Sequence, residues 1–326
     1  MKGSVIYANS IIACKEGKLL RLQQVKRMLS APTLIEAIKI LYECGYDVGL
    51  IQNNPESIDS LIANEHEKTI KVFSGLCADS SLLRLVLLRY DYHNLKSVYK
   101  DSDDTLLYPF GNIAVKDMKA ALTEKQRYLL TAHMQTALHE LDTFAKENKV
   151  TSAEIELKLD KAMYSEFSEL LKKIKSKTIK AYFTAEIDIQ NILSFARTRV
   201  MDLPTRLAHD YFVAGGTLKK ELVETIITLP PQKFSEKFIN TPYYKFMQDL
   251  SSGIKNNSLA DCEHNMWGYL LELSAKEKNN AFKLDPLFNW YIRKKEELKT
   301  IKLVLISKKL GLAPGVIEPK LKYYKT

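Results

Sequence analysis

Apolar side chains recur along this chain at intervals of three and four, the spacing that places them on one side of an α-helix. In the window 80–100, Leu82, Leu83, Val86, Leu87, Tyr90, Leu95 and Val98 fall mostly on one helical face. The punctuation agrees with that period. A first helix is predicted over 18–29 and is stopped by Ser30-Ala31-Pro32. Thr33, with Glu36 three residues on, forms a capping box for a second helix that runs to Gly45. Pro55-Glu56 opens a third, and Ser80 to Lys100 makes a long fourth. Further helices are predicted near 115–147, 152–176 and 178–199, then near 217–228, 232–249, 258–279 and 284–310. Thr151-Ser152-Ala153-Glu154 caps one start, Asp285-Pro286 another, and Gly311-Leu312-Ala313-Pro314-Gly315 ends the last.

The pattern repeats. Asn94-Leu95-Lys96-Ser97-Val98, Asn191-Ile192-Leu193-Ser194-Phe195 and Glu297-Leu298-Lys299-Thr300-Ile301 carry the same signature near the ends of three segments. Each segment opens on a tyrosine, at Tyr7, Tyr108 and Tyr211. Asp160-Lys161-Ala162-Met163-Tyr164 also corresponds to Glu263-His264-Asn265-Met266-Trp267. These anchors predict an all-α chain of three homologous helical units, 1–104, 105–204 and 205–326, the last with a basic tail. Each unit is expected to be a small bundle. Asp91 and Asn94, and Asp188 and Asn191, share a helix face at i, i+3; in the third unit Lys294 and Glu297 take those places. Recurring polar residues of this kind are expected to satisfy backbone groups or interhelical contacts.

Composition fits a helical reading. The 326 residues include only 12 Gly and 10 Pro, too few turn formers for a chain of many short strands. No stretch approaches the roughly 18 consecutive apolar residues of a membrane span, and the N-terminus carries no signal-peptide core. A soluble, cytosolic protein is expected. The four cysteines, Cys14, Cys44, Cys77 and Cys262, form no C-x-x-C pair and are expected to be reduced. The net charge of +9 is unevenly placed: residues 293–326 hold ten Lys or Arg against three Glu, and Lys172, Lys173, Lys175, Lys177 and Lys180 form a second cluster. Such faces suit an acidic protein, anionic lipid or nucleic acid, or are simply solvated.

Candidate chemistry is sparse. Gly17-Lys18-Leu19 lacks the upstream glycines and the hydroxyl of a phosphate-binding loop. There is no G-x-G-x-x-G, no G-x-S-x-G and no H-E-x-x-H, and His133 and His139 lie on different helix faces. No catalytic residue, cofactor or metal is predicted. Two readings remain open at this point. One is a non-catalytic assembly subunit. The other is a basic helical-repeat adaptor that binds RNA or protein, since several tyrosines could stack bases.

The segments Val25-Lys26-Arg27-Met28-Leu29-Ser30-Ala31-Pro32-Thr33, Arg89-Tyr90-Asp91-Tyr92-His93-Asn94-Leu95-Lys96 and Glu186-Ile187-Asp188-Ile189-Gln190-Asn191-Ile192 resemble the family of central-stalk C (or d) subunits of V-type rotary ATPases. Asp285-Pro286-Leu287, Glu296-Glu297-Leu298 and Lys308-Lys309-Leu310-Gly311-Leu312 match as well, so the likeness runs nearly end to end. It implies three bundles arranged as a funnel with pseudo-threefold symmetry. It also implies a central-stalk rotor part, on the cytoplasmic face of a membrane, that hydrolyses nothing. The implied partners are the axle subunits and the membrane proteolipid ring, with membrane contact through the ring and no nucleic acid. Proton or sodium would be the transported ion. The basic side chains Lys294, Lys295, Lys308 and Lys309 are the expected protein contacts.

Overall fold

A computed structural model describes residues 4–49, 57–146 and 149–324. Every regular element among the described residues is a helix. The chain divides into two compact units: residues 1–78 with 274–326, and residues 79–273.

The first unit is built from both ends of the chain. It contains α1 (Val5–Glu16), α2 (Leu22–Ser30), α3 (Leu34–Glu43), α4 (Ile58–Leu76) and, from the C-terminal part, α15 (Asp285–Lys309) and α16 (Pro314–Ile317). Ser4 caps α1 by accepting from the Tyr7 N–H. Thr33 caps α3 by accepting from the Glu36 N–H at 3.2 Å. Helix α3 ends where Gly45 turns to φ 87°, with the Tyr46 N–H returning to the Leu41 carbonyl. Helix α15 packs against α4, α1, α3 and α2. Val25, Met28, Leu29, Ile38, Leu41 and Leu61 close over Leu298, Ile301, Val304 and Leu305 to form the core. The predicted start at Pro55-Glu56 lies outside the described residues.

The second unit carries α5 (Ser80–Tyr99), α6 (Val115–Thr123), α7 (Ala132–Ala145), α8 (Ser152–Lys173), α9 (Lys177–Val200), α10 (Thr205–Tyr211), α11 (Lys220–Thr228), α12 (Phe234–Lys237), α13 (Tyr244–Lys255) and most of α14 (Ala260–Ala275). Helix α5 lies on α8, α7 on α8, and α9 on α10, α11 and α13. Leu85, Leu138, Leu159 and Phe167 are fully buried in one part of the unit, and Ile192, Phe195, Val223 and Met247 in the other.

Two of the predicted helices are broken. The stretch 115–147 is interrupted by Lys125 at φ 58° and restarted by Thr131, whose hydroxyl accepts from the Met134 N–H. The stretch 232–249 breaks before Pro242, which disfavours helix at the residue ahead of it. Three helices escaped prediction, among them the single turn α16 (Pro314–Ile317) beyond the expected last stop. Helix α1 shows no apolar stripe, and α10 is short and follows Pro204.

The long helices α5, α9 and α15 end alike. Asp101, Asp202 and Gly311 adopt φ of 51°, 49° and 66°. The next residue's N–H, from Ser102, Leu203 or Leu312, returns 2.9 Å to the carbonyl of Ser97, Thr198 or Ser307. This is the left-handed cap that satisfies the last carbonyls of a helix.

Candidate functional site

Helix α5 grips the segment that follows it through Asp91 and Asn94. Asn94 is fully buried, and its side chain reads one backbone unit in both directions. Its Nδ2 donates to the Tyr108 carbonyl at 2.9 Å, and the Tyr108 N–H donates to its Oδ1 at 2.8 Å. One turn earlier, Asp91 accepts from the N–H groups of Asn112 and Ile113 at 2.7 and 3.0 Å, and from the Asn112 amide at 2.6 Å. A Cβ on Gly111 would stand 2.4 Å from the Asp91 Oδ1, so the approach requires glycine. Tyr90 packs edge-on against Tyr108 and Phe110 beside the clamp.

Burial pushes the Asp91 carboxyl from its ordinary 3.8 up to about 6. The hydrogen bonds from Ile113 and Asn112 oppose the shift, and the nearby Glu166 charge adds to it. A carboxyl raised in the folded state is held there at a cost once it is ionised in both states. Its contribution to stability is therefore most favourable below about pH 4 and declines as pH rises through about 6. The expected carboxyl carbon titration of Asp91 has its midpoint near pH 6. Asp91→Asn should flatten that part of the stability–pH curve. A midpoint below about 5 would contradict this account.

Helix α9 repeats the grip on the next segment. Asn191 donates to the Val213 carbonyl and accepts from the Val213 N–H, both at 2.9 Å. Asp188, fully buried, accepts from the Thr217 N–H at 3.0 Å, the Thr217 hydroxyl at 2.6 Å, the Leu218 N–H at 2.9 Å and the Tyr243 hydroxyl at 2.9 Å. A Cβ on Gly216 would lie 2.0 Å from the Asp188 Oδ1. Burial, then the Asp188 charge, holds the Tyr243 hydroxyl protonated well above its ordinary range.

Helix α15 makes the third clamp with different chemistry. Glu297 accepts from the Leu20 N–H at 2.6 Å and from the Tyr46 hydroxyl. Lys294, in the place of Asp91 and Asp188, donates to Glu297 at 2.5 Å and to the Tyr46 hydroxyl at 2.6 Å. The clamp walls a cleft of about 500 Å³ that is also lined by Lys15, Lys18, Cys44 and Trp290.

The residues held are therefore Tyr108, Val213 and Leu20. Of the three opening tyrosines, Tyr108 alone is gripped in this way; Tyr7 and Tyr211 stand out of register with it. A better sequence signal was available in Tyr108-x-x-Gly111 and Val213-x-x-Gly216, where the glycine makes room for the carboxylate. Leu20 lacks such a glycine, and its helix lacks the aspartate. Tyr46 and Tyr243 are both phenols buried against a carboxylate, Glu297 and Asp188 respectively, a role that nothing in their local sequence announces.

The four lysines of α15 are not one patch. Lys294 belongs to the clamp, and Lys295 lies over the Tyr291 ring at 5.5 Å. Lys308 donates to the Ala31 carbonyl at 2.6 Å, and Lys309 is exposed at the helix end. The two pairs are separated by about 20 Å of helix. The histidines are dispersed: His93 meets the Leu106 carbonyl, His133 faces Glu169 and His209 faces Glu224. Burial and the Lys295 charge lower His66 to about 4. Among the described residues no group of three or more His, Cys, Asp or Glu is placed to hold a metal, and no helix is long and apolar enough to cross a membrane.

Comparison with known proteins places this arrangement. The sequence profile of the ATP synthase (C/AC39) subunit family matches residues 8–319, nearly the whole chain and all three clamps. The chain belongs to that family. Within the C/AC39 family it is 23% identical to the C subunit of the A-type ATP synthase of Methanosarcina mazei, over 98% of this chain and 94% of the relative. It is 21% identical to the protein of the same name from Pyrococcus abyssi, over 96% and 88%. It is 18% identical to the C subunit of the V-type sodium ATPase of Enterococcus hirae, over 92% and 93%. This C/AC39 chain is thus similar to A-type and V-type ATPase C subunits over nearly its whole length, and every regular element among its described residues is a helix.

Proposed function

We propose that this chain is the non-catalytic central-stalk spacer of an A/V-type ion-translocating ATPase. In this reading it couples the axle to the membrane proteolipid ring and transmits torque between ATP turnover and proton or sodium movement. The observation that carries the reading is the family match over residues 8–319, within which three long helices, α5, α9 and α15, each bear a buried backbone clamp. A part that transmits torque needs stiffness rather than chemistry. Side chains that lock neighbouring backbone in two directions supply stiffness, because a buried polar group cannot leave its partner without a desolvation cost.

The threefold recurrence supports the division into units 1–104, 105–204 and 205–326 and a funnel of three related bundles. The third clamp joins α15, near the C-terminal end, to Leu20, near the N-terminal end, within the unit formed by residues 1–78 and 274–326. The chain would sit on the cytoplasmic face of the membrane and bind no nucleic acid. Lys295, Lys308 and Lys309 are assigned to the grip on axle or ring, with Lys294 acting through the shape of its clamp. The test is affinity purification of the tagged chain from its native cells, with mass spectrometry. Axle and ring subunits are expected in stoichiometric recovery. Recovery of the chain with RNA, or without any ATPase subunit, would overturn the reading.

A further inference from the structure

Residues 172–180, Lys-Lys-Ile-Lys-Ser-Lys-Thr-Ile-Lys, form the turn between α8 and α9. They hold five lysines and no acidic residue. Lys172, Lys173, Lys175 and Lys177 are exposed and Lys180 is half-buried. Among the described residues none of the five ammonium groups has an ion-pair or hydrogen-bond partner. The turn itself is firmly built. Ile174 and Ile179 are buried beneath it, and Ser176 caps α9 by accepting from the Ile179 N–H at 3.2 Å. The charges are thus presented on a fixed support.

The corresponding turns elsewhere are made differently. Asp79 starts α5, accepting from the N–H groups of Ser81 and Leu82 at 2.8 and 3.1 Å. Asp285 starts α15, and in the turn before it Lys283 is paired with Glu277 at 3.3 Å. A carboxylate at a helix start complements the positive end of the helix dipole, and a lysine there opposes it. Helix α9 has no acid in its first turn and carries Lys177 and Lys180 there instead. A local rule broken without internal compensation is expected where an external partner supplies it.

We infer that this turn is an electrostatic docking surface for anionic phospholipid headgroups. Every cation is lysine, a flexible point charge that suits a fluid layer of phosphates; a fixed carboxylate surface favours the rigid fork of arginine. No exposed apolar side chain accompanies the lysines, so attachment is by charge and not by insertion. The inference rests on the proposed function only in that such a subunit works beside a bilayer.

The test uses the purified full chain in vesicle sedimentation, independently of any complex. Vesicles of phosphatidylcholine with about 30% phosphatidylglycerol are compared with phosphatidylcholine alone, at about 25 and 150 mM salt. Binding is expected to the anionic vesicles and to weaken with salt. The variant with Lys172, Lys173, Lys175, Lys177 and Lys180 all changed to Gln should bind at least about tenfold more weakly with unchanged circular dichroism. A control that removes five scattered exposed lysines, Lys26, Lys39, Lys116, Lys237 and Lys245, should bind like the native chain. No binding by the native chain, or equal loss in both variants, overturns the inference. So does tighter binding of polyglutamate or single-stranded RNA through the same lysines. Failure here with intact recovery of ATPase subunits would leave the proposed function standing.

Discussion

Asp188→Ala is expected to destabilise the 79–273 unit by about 3–5 kcal/mol. Asp188 is fully buried and is the shared acceptor for two backbone N–H groups and two hydroxyls. Alanine leaves the Thr217 and Leu218 amides, the Thr217 hydroxyl and the Tyr243 hydroxyl facing a void too crowded for a full set of replacement waters. Each stranded donor costs about 1–3 kcal/mol, and relaxation of the 214–218 segment recovers part of the total. In a unit of this size each kcal/mol moves the melting temperature by about 2–4 °C, so a fall of roughly 10 °C is expected. Asp188→Asn keeps one acceptor oxygen and turns the other into a donor aimed at donors. It should cost less, about 1–3 kcal/mol. Gly216→Ala attacks the same contact from the other side, because its Cβ would stand 2.0 Å from the carboxylate. Thermal unfolding followed by Trp267 fluorescence checks all three. An Asp188→Ala change below about 1 kcal/mol would show that the clamp is ornamental.

How much of this could be read beforehand depended on how local the cause was. Thr33, Thr151 and Gly45 act on the helix beside them, so their caps were legible at once. The i, i+3 pairing of Asp91 with Asn94 and of Asp188 with Asn191 was equally plain, because it needs only helical geometry. Their targets were not. Tyr108 and Val213 lie a loop away and are held by main-chain atoms, which every residue carries, so side-chain identity at the target is unconstrained. That freedom is why a run of tyrosines misled the register. The glycines at 111 and 216 were the true trace, since only they are dictated by the carboxylate's approach. The third clamp was the hardest, for its partners Leu20 and Tyr46 lie some 250 to 280 residues before Glu297. No periodicity links the two ends of a chain. Lys294 shows the same limit: the sequence sets it beside Lys295 as a basic contact, and its pairing with the buried Glu297 becomes plain only in the fold.

The Lys294–Glu297 pair carries the second large effect. The Lys294 side chain is 14% exposed and that of Glu297 2%, so the pair is largely removed from solvent. Breaking such a pair costs more than its presence contributes, because the remaining charge is buried without a counter-ion. Lys294→Glu goes further and sets two carboxylates around the Tyr46 hydroxyl, which can donate to one of them only. We expect a loss of about 3–5 kcal/mol in the unit formed by residues 1–78 and 274–326. Lys294→Met keeps the length of the side chain and removes the charge, and should cost less, about 1–3 kcal/mol. Trp290 lines the same cleft and is buried, so with Trp267 changed to Phe its fluorescence in a denaturant titration reports on this unit. The two variants also differ in their response to acid. In Lys294→Glu, lowering the pH until one of the facing carboxylates takes a proton removes the repulsion, so stability should recover toward about pH 4. In Lys294→Met the buried Glu297 keeps its charge without a counter-ion, so acid should also restore stability, but by less, because no second carboxylate repels it. A Lys294→Glu protein as stable as the native chain at neutral pH would mean that the side chain swings into solvent and that Glu297 holds Leu20 and Tyr46 without it.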